Sequence, residues 1–162
     1  MKNSLEVIAA LLFSSLLSAC SSAPIDFYSH SAELPSAKIK SSLKSGSNRN
    51  EWISVSLLDD HTSPPKYRVV FEVSRHRTTP AGYTLVPAEK PIKINYTESA
   101  SRNRHCRISV TTQLSKDKSY TLTGGFFMDR GPIPIITDQR KCTLQLLDDQ
   151  TGIPVPMAKS AH

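Results

Sequence analysis

The sequence is poor in the residues that build reactive centres. It holds three Cys in 162 residues and no C-x-x-C pair, which excludes a dense disulfide scaffold and a thioredoxin-type redox motif. Its five His (His30, His61, His76, His105 and His162) fall at no metal-ligand spacing, so no metal centre is expected. There is no G-x-S-x-G elbow and no P-loop, which removes two common grounds for a hydrolase or nucleotide-binding reading. Hydrophobic residues make up 38% of the chain, a modest share, so part of it is expected to lie outside any packed core. Beyond residue 20 no stretch shows a 3.6-residue apolar period, and helices are not expected.

The one long apolar run is Val7–Leu17, broken only by Ser14 and Ser15 and preceded by Lys2. Eleven helical residues span roughly 16 Å, about half a bilayer core. That is too short to cross a membrane and right for the apolar part of an export signal. Glu6 at its edge is uncommon there. The run ends in Leu17-Ser18-Ala19-Cys20. An aliphatic residue, two small residues and Cys in this order resemble the lipobox of bacterial lipoproteins. That resemblance covers residues 1–20 only. It implies removal of residues 1–19 and acylation of Cys20 (a diacylglycerol thioether, with a further fatty acid such as palmitate). Several acyl chains hold a protein on a bilayer stably, since each buried CH₂ contributes about 0.8 kcal/mol. Ser21, where an inner-membrane lipoprotein tends to carry Asp, points to the outer membrane and a periplasmic face if the host is Gram-negative.

Residues 20–50 read as the lipidated Cys and a flexible tether. The segment is rich in Ser, contains Pro24, Pro35 and Gly46, and ends in a wholly polar stretch, Lys44–Asn50. From residue 51 the pattern changes to period two. Ile53, Val55 and Leu57 alternate with Ser. Tyr67, Val69, Phe71 and Val73 form a second run, and Ile92, Ile94 and Tyr96 a third. Ile108, Val110 and Leu114, then Tyr120, Leu122 and Phe126, then Leu144 and Leu146 continue the series, with a short Tyr83–Leu85 segment between. Pro- and Asp-rich turn signals separate them. Six or seven short strands of this kind predict an all-β domain over 51–162: an antiparallel β-sandwich of immunoglobulin-like or transthyretin-like shape, with a small β-barrel as the alternative.

Cys106 shares the parity of Ile108 and Val110, and Cys142 that of Leu144 and Leu146. Both are therefore expected to face the core and, in an oxidising compartment, to form a disulfide. Closing a loop of this length contributes about 4 kcal/mol in the chain-entropy model.

Three features bear on function. Basic residues crowd the two cysteines: Arg102, Arg104 and Arg107 on one side, Arg140 and Lys141 on the other, a candidate anion-binding patch once the bridge closes. Residues 127–140 hold Phe127, Met128, Ile133, Ile135 and Ile136 with Pro132 and Pro134, a candidate partner-binding loop. Leu57–Ser63 and Leu146–Gly152 echo each other as strand ends running into Asp pairs, where turn-building Asp side chains are expected rather than a metal site. Gly124-Gly125 inside a strand predicts a bulge or a close backbone approach.

No catalytic residues, cofactor or metal are expected. The net charge of +6 does not imply nucleic acid, because an exported chain leaves the cytoplasm. The expected function is a non-enzymatic, membrane-anchored envelope lipoprotein that binds another envelope component, such as an accessory subunit of a secretion or envelope-assembly system. The alternative is a binder of anionic glycan or lipopolysaccharide through the basic patch.

Overall fold

The computed structural model describes residues 25–31, 33–44, 51–74, 77–100, 104–129 and 139–160. They form a β-sandwich of two sheets, with no helix among them and no closed barrel. In chain order the strands are β1 (Ser36–Ser41), β2 (Trp52–Asp59), β3 (Lys66–Ser74), β4 (Arg77–Thr79), β5 (Tyr83–Pro87), β6 (Pro91–Ala100), β7 (Arg104–Gln113), β8 (Ser119–Asp129), β9 (Gln139–Asp148) and β10 (Ala158–Lys159). One sheet has the order β5-β1-β8-β9 and the other β10-β7-β6-β2-β3-β4. Every strand pair is antiparallel except β1 with β8, which run parallel.

The period-two pattern sets the inner face of each sheet. In the larger sheet, Val55, Tyr96 and Ile108 stand in one cross-strand row, and Leu57, Ile94 and Val110 in the next. In the smaller sheet, Leu122 faces Leu146 across the β8–β9 ladder. Ile53, Phe71, Tyr96, Leu122 and Leu146 are completely or almost completely buried where the two faces meet.

The flexible tether expected over residues 20–50 is corrected by β1. Its Ser-Ala-Lys-Ile-Lys-Ser pattern turns Ala37 and Ile39 into the core and Lys38 and Lys40 outward. It is an interior strand, held by β5 on one side and β8 on the other. Ahead of it, Phe27 bridges Val69, the Tyr28 amide donates to the Val69 carbonyl at 2.7 Å, and the Tyr28 side chain is buried. The packed domain therefore begins by residue 27, not residue 51. The pattern is weak because the strand has only two apolar residues, one of them Ala, in a Ser-rich setting. Cys20 and residues 45–50 lie outside the described residues.

A second correction concerns β3. Period two places Tyr67, Val69, Phe71 and Val73 on one face, but the β2–β3 register shifts at Val55/Ser56. Val70 is the extra residue of this bulge, and it enters the core beside Phe71 and Val73. Val69 and Tyr67 are thereby turned to the outer face, and Tyr67 is left exposed.

Gly124 and Gly125 have φ of 141° and 136°, a region that side chains disfavour. A Cβ on Gly124 would run into the Thr143 backbone carbonyl. Gly124 thus serves a close approach of β8 to β9, while Gly125 has open space around it, and the ladder is continuous through both residues.

Candidate functional site

Cys106 on β7 and Cys142 on β9 are disulfide-bonded, with Cα atoms 6.0 Å apart, so the bridge ties the two sheets together. Cys106 is buried as its parity requires. Cys142 has the right parity but is exposed, contrary to expectation, because β9 is the last strand of its sheet.

Beside the bridge the two sheets part. A cleft of about 570 Å³ opens between Arg107–Val110 of β7, Cys142–Gln145 of β9 and the segment around β10. Ile108, Val110, Leu144 and Met157 give it apolar walls, while Arg107, Gln145, Lys159 and Ser160 supply polar groups. No carboxylate of a described residue lines it. Arg107 and Lys159 have no acidic partner within ion-pair distance among the described residues, whose ion-paired carboxylates are occupied elsewhere: Asp26 by Lys66 at 2.7 Å, Asp59 by Arg68 at 3.0 Å, Asp60 by Lys90 at 3.1 Å, Asp148 by Lys118 at 3.0 Å and Asp149 by Lys40 at 3.4 Å.

The cleft also exposes strand edges. Residues 153–155 cover the end of β9, with the Val155 amide donating to the Leu146 carbonyl and the Asp148 amide to the Ile153 carbonyl. Up to Gln145, β9 has β8 on one side and no described strand on the other. Likewise β10 and Ser160 cover β7 only at Ser109–Thr111, leaving the edge nearer Cys106 without a described partner strand. Such edges hold backbone donors and acceptors available to an added chain.

Of the expected basic patch, Arg107 and Lys141 flank the bridged cysteines and both are exposed. Arg104 and Arg140 are placed by backbone only, opposite Ala100 and Met128 respectively. Arg102 lies outside the described residues, as do Ile133, Ile135 and Ile136 of the expected partner loop. The other two members of that loop belong to β8: Phe127 is exposed opposite Lys141, and Met128 is placed by backbone only.

The Asp pairs build turns. The first carboxylate of each pair, Asp59 and Asp148, accepts backbone amides of its own turn. Among the described residues, no three His, Cys, Asp or Glu side chains converge as a metal group would require.

A buried polar pair was not anticipated. Glu98 has the parity of Ile94 and Tyr96, so it points into the sandwich beside Cys106. The Tyr96 hydroxyl donates to Glu98 Oε2 at 2.5 Å. Burial, then the carboxylate it donates to, push the Tyr96 phenol well above the ordinary tyrosine range, so it stays protonated as a donor. The signal was present in the sequence as an acidic residue in register with the core-facing row.

Compared with known proteins, the chain matches no family model, no curated protein and no solved structure.

Proposed function

We propose that the chain is a lipid-anchored protein of a bacterial cell envelope whose sandwich binds another envelope component without chemical turnover. Acyl chains on Cys20 attach it to the membrane, which is the outer membrane, with the domain facing the periplasm, if the host is Gram-negative. The contact site in this reading is the β7–β9 cleft. The observation that carries it is the coincidence, in one place, of apolar walls, two strand edges with no described partner strand, and a cationic rim with no acidic partner among the described residues. A partner protein that offers an extended segment gains backbone hydrogen bonds from the β9 edge and apolar contacts from Leu144 and Met157. An accessory subunit of a secretion or envelope-assembly system would bind in this way. Arg107 and Lys159 favour a second reading, an anionic glycan or lipopolysaccharide held by charge.

A photo-crosslinking residue at Gln145 in intact cells separates these readings. Repeated capture of one protein, abolished by Arg107→Glu with Lys159→Glu or by blocking Leu144, supports the subunit reading. Capture of glycan or lipopolysaccharide alone, released by salt of roughly 0.5 M, where charge contacts are strongly screened, supports the second. Capture of nothing from the cleft, with capture elsewhere on the domain, would sink both.

A further inference from the structure

The outer face of the larger sheet carries a stripe of exposed apolar side chains where β2 and β3 meet the beginning of the packed chain. Ile25 is 45% exposed, Trp52 41% and Tyr67 47%. Ile25 and Trp52 share a depression of about 340 Å³ with Ser54, Val69 and Glu72, and Tyr67 pairs with Leu58 farther along the same face. The β3 bulge creates this stripe, because it turns Val69 and Tyr67 outward.

We infer that this face rests on the bilayer to which Cys20 is attached, with Trp52, Ile25 and Tyr67 seated in the membrane interface. The inference rests on the lipid-anchor reading. Cys20 and Ile25 are separated by 25 − 20 = 5 residues. Even fully extended, five residues reach only about 18 Å. With a tether of thirty residues the domain could sit far from the lipid in any orientation. With the fold beginning at Ile25–Phe27, the stripe itself is the point at which the chain leaves the domain toward its anchor. An anchor this short brings one face of the domain to the membrane, and the face it brings is the one with exposed Trp, Tyr and Ile. Trp and Tyr favour the headgroup boundary, where the ring is half apolar and the N–H or O–H stays wet.

Charge on that face fits a phospholipid surface. Among the outward positions of β2, β3, β6 and β7, the described acidic side chain is Glu72, while Lys93 and Arg107 are exposed cations. Asp26, next to Ile25, is paired with Lys66 at 2.7 Å. Apart from Pro91, the remaining outward groups of β6 are Asn95, Thr97 and Ser99, which hydrogen-bond readily with hydrated headgroups.

The single Trp of the sequence reports the contact directly. The purified lipidated chain is reconstituted into phosphatidylcholine–phosphatidylglycerol vesicles, with and without acyl chains brominated near the headgroup. Flotation is measured alongside Trp52 fluorescence. The expected result is a blue-shifted Trp52 emission that brominated lipid quenches, lost in Ile25→Asp with Tyr67→Asp while flotation persists. If the chain floats but Trp52 emits as in water and is not quenched, the face is free for some other partner and the inference falls, with the anchor reading intact. If the chain does not float, the anchor reading falls and takes this inference with it.

Discussion

Asp59 and Asp148 do the same work at the ends of two different sheets. Asp59 Oδ1 accepts the His61 amide at 3.1 Å, and its Oδ2 meets Arg68 Nε at 3.0 Å. Asp148 Oδ1 accepts the Gln150 and Thr151 amides at 2.9 and 3.1 Å, and its Oδ2 takes Lys118 Nζ at 3.0 Å. One oxygen closes the turn and the other neutralises a cation from a neighbouring strand or turn. Both side chains are largely buried; Lys118 donates a hydrogen bond to Asp148, whereas Arg68 Nε sits beside Asp59 as an ion pair without hydrogen-bond alignment.

Replacing Asp59 by Ala removes the turn acceptor and the nearer of two carboxylates at Arg68, leaving Asp26 at 3.8 Å. The expected loss is about 1–3 kcal/mol. Asp59→Asn keeps an acceptor for the His61 amide and should recover part of it. Urea melts of the two variants at neutral pH provide the comparison.

The Asp148–Lys118 pair defines a pH window. The hydrogen bond and charge of Lys118, with the Thr151 and Gln150 amides, hold the Asp148 carboxyl below its ordinary 3.8. Its contribution to stability is therefore present above that value and lost as pH falls through the lower folded value. The same pair raises Lys118 above 10.5, so the contribution holds below 10.5 and is lost as pH rises through the raised value. Asp148→Asn should flatten both limbs of the stability–pH profile. An unchanged acid limb would show that other carboxylates set it.

Ile39 tests the correction to the N-terminal segment. It is 2% exposed in β1, between β5 and β8. Ile39→Ala should cost roughly 2–5 kcal/mol, as for a buried aliphatic residue. A residue in a solvated tether would cost almost nothing, so one denaturation curve decides between the two.

At Gly124, Ala meets both an unfavourable φ and the Thr143 carbonyl. The expected destabilisation is about 2 kcal/mol or more, from backbone strain and overpacking together. Gly125 has a similar φ but open space around it, so Gly125→Ala should cost less. Equal costs would mean that dihedral strain alone matters.

Cys106→Ala with Cys142→Ala removes the tie between β7 and β9. Across a separation of 36 residues the chain-entropy model predicts a loss of about 4 kcal/mol. The parent protein should show the same drop in reductant. Because Cys142 lines the cleft, the binding proposed there should weaken beyond the loss of stability, measurable by crosslinking from Gln145 at a temperature where the variant is still folded.

Much of this architecture was legible from residue order. Strands β2, β3, β5, β6, β7, β8 and β9 follow from period two, since alternation of apolar and polar residues is itself what makes a half-buried strand. The pairing of Cys106 with Cys142 followed from parity, and the Asp turns from the local reach of a short carboxylate. Strand β1 was not legible because Ala37 and Ile39 are too little apolar surface to stand out. They become core only because Val86 and Tyr120 stand beside them in strands far along the chain. The β3 bulge was not legible either, since Val69 and Val70 are both apolar and only the register against β2 decides which one is buried.

Residue order by itself determined the strand periodicity, the turn chemistry and the cysteine register, because each depends on neighbours within a few positions. Tertiary structure decided where the packed chain begins, which valine of β3 turns outward and where the two sheets part into a cleft. Those outcomes depend on pairing between segments tens of residues apart, and no local pattern encodes the partner.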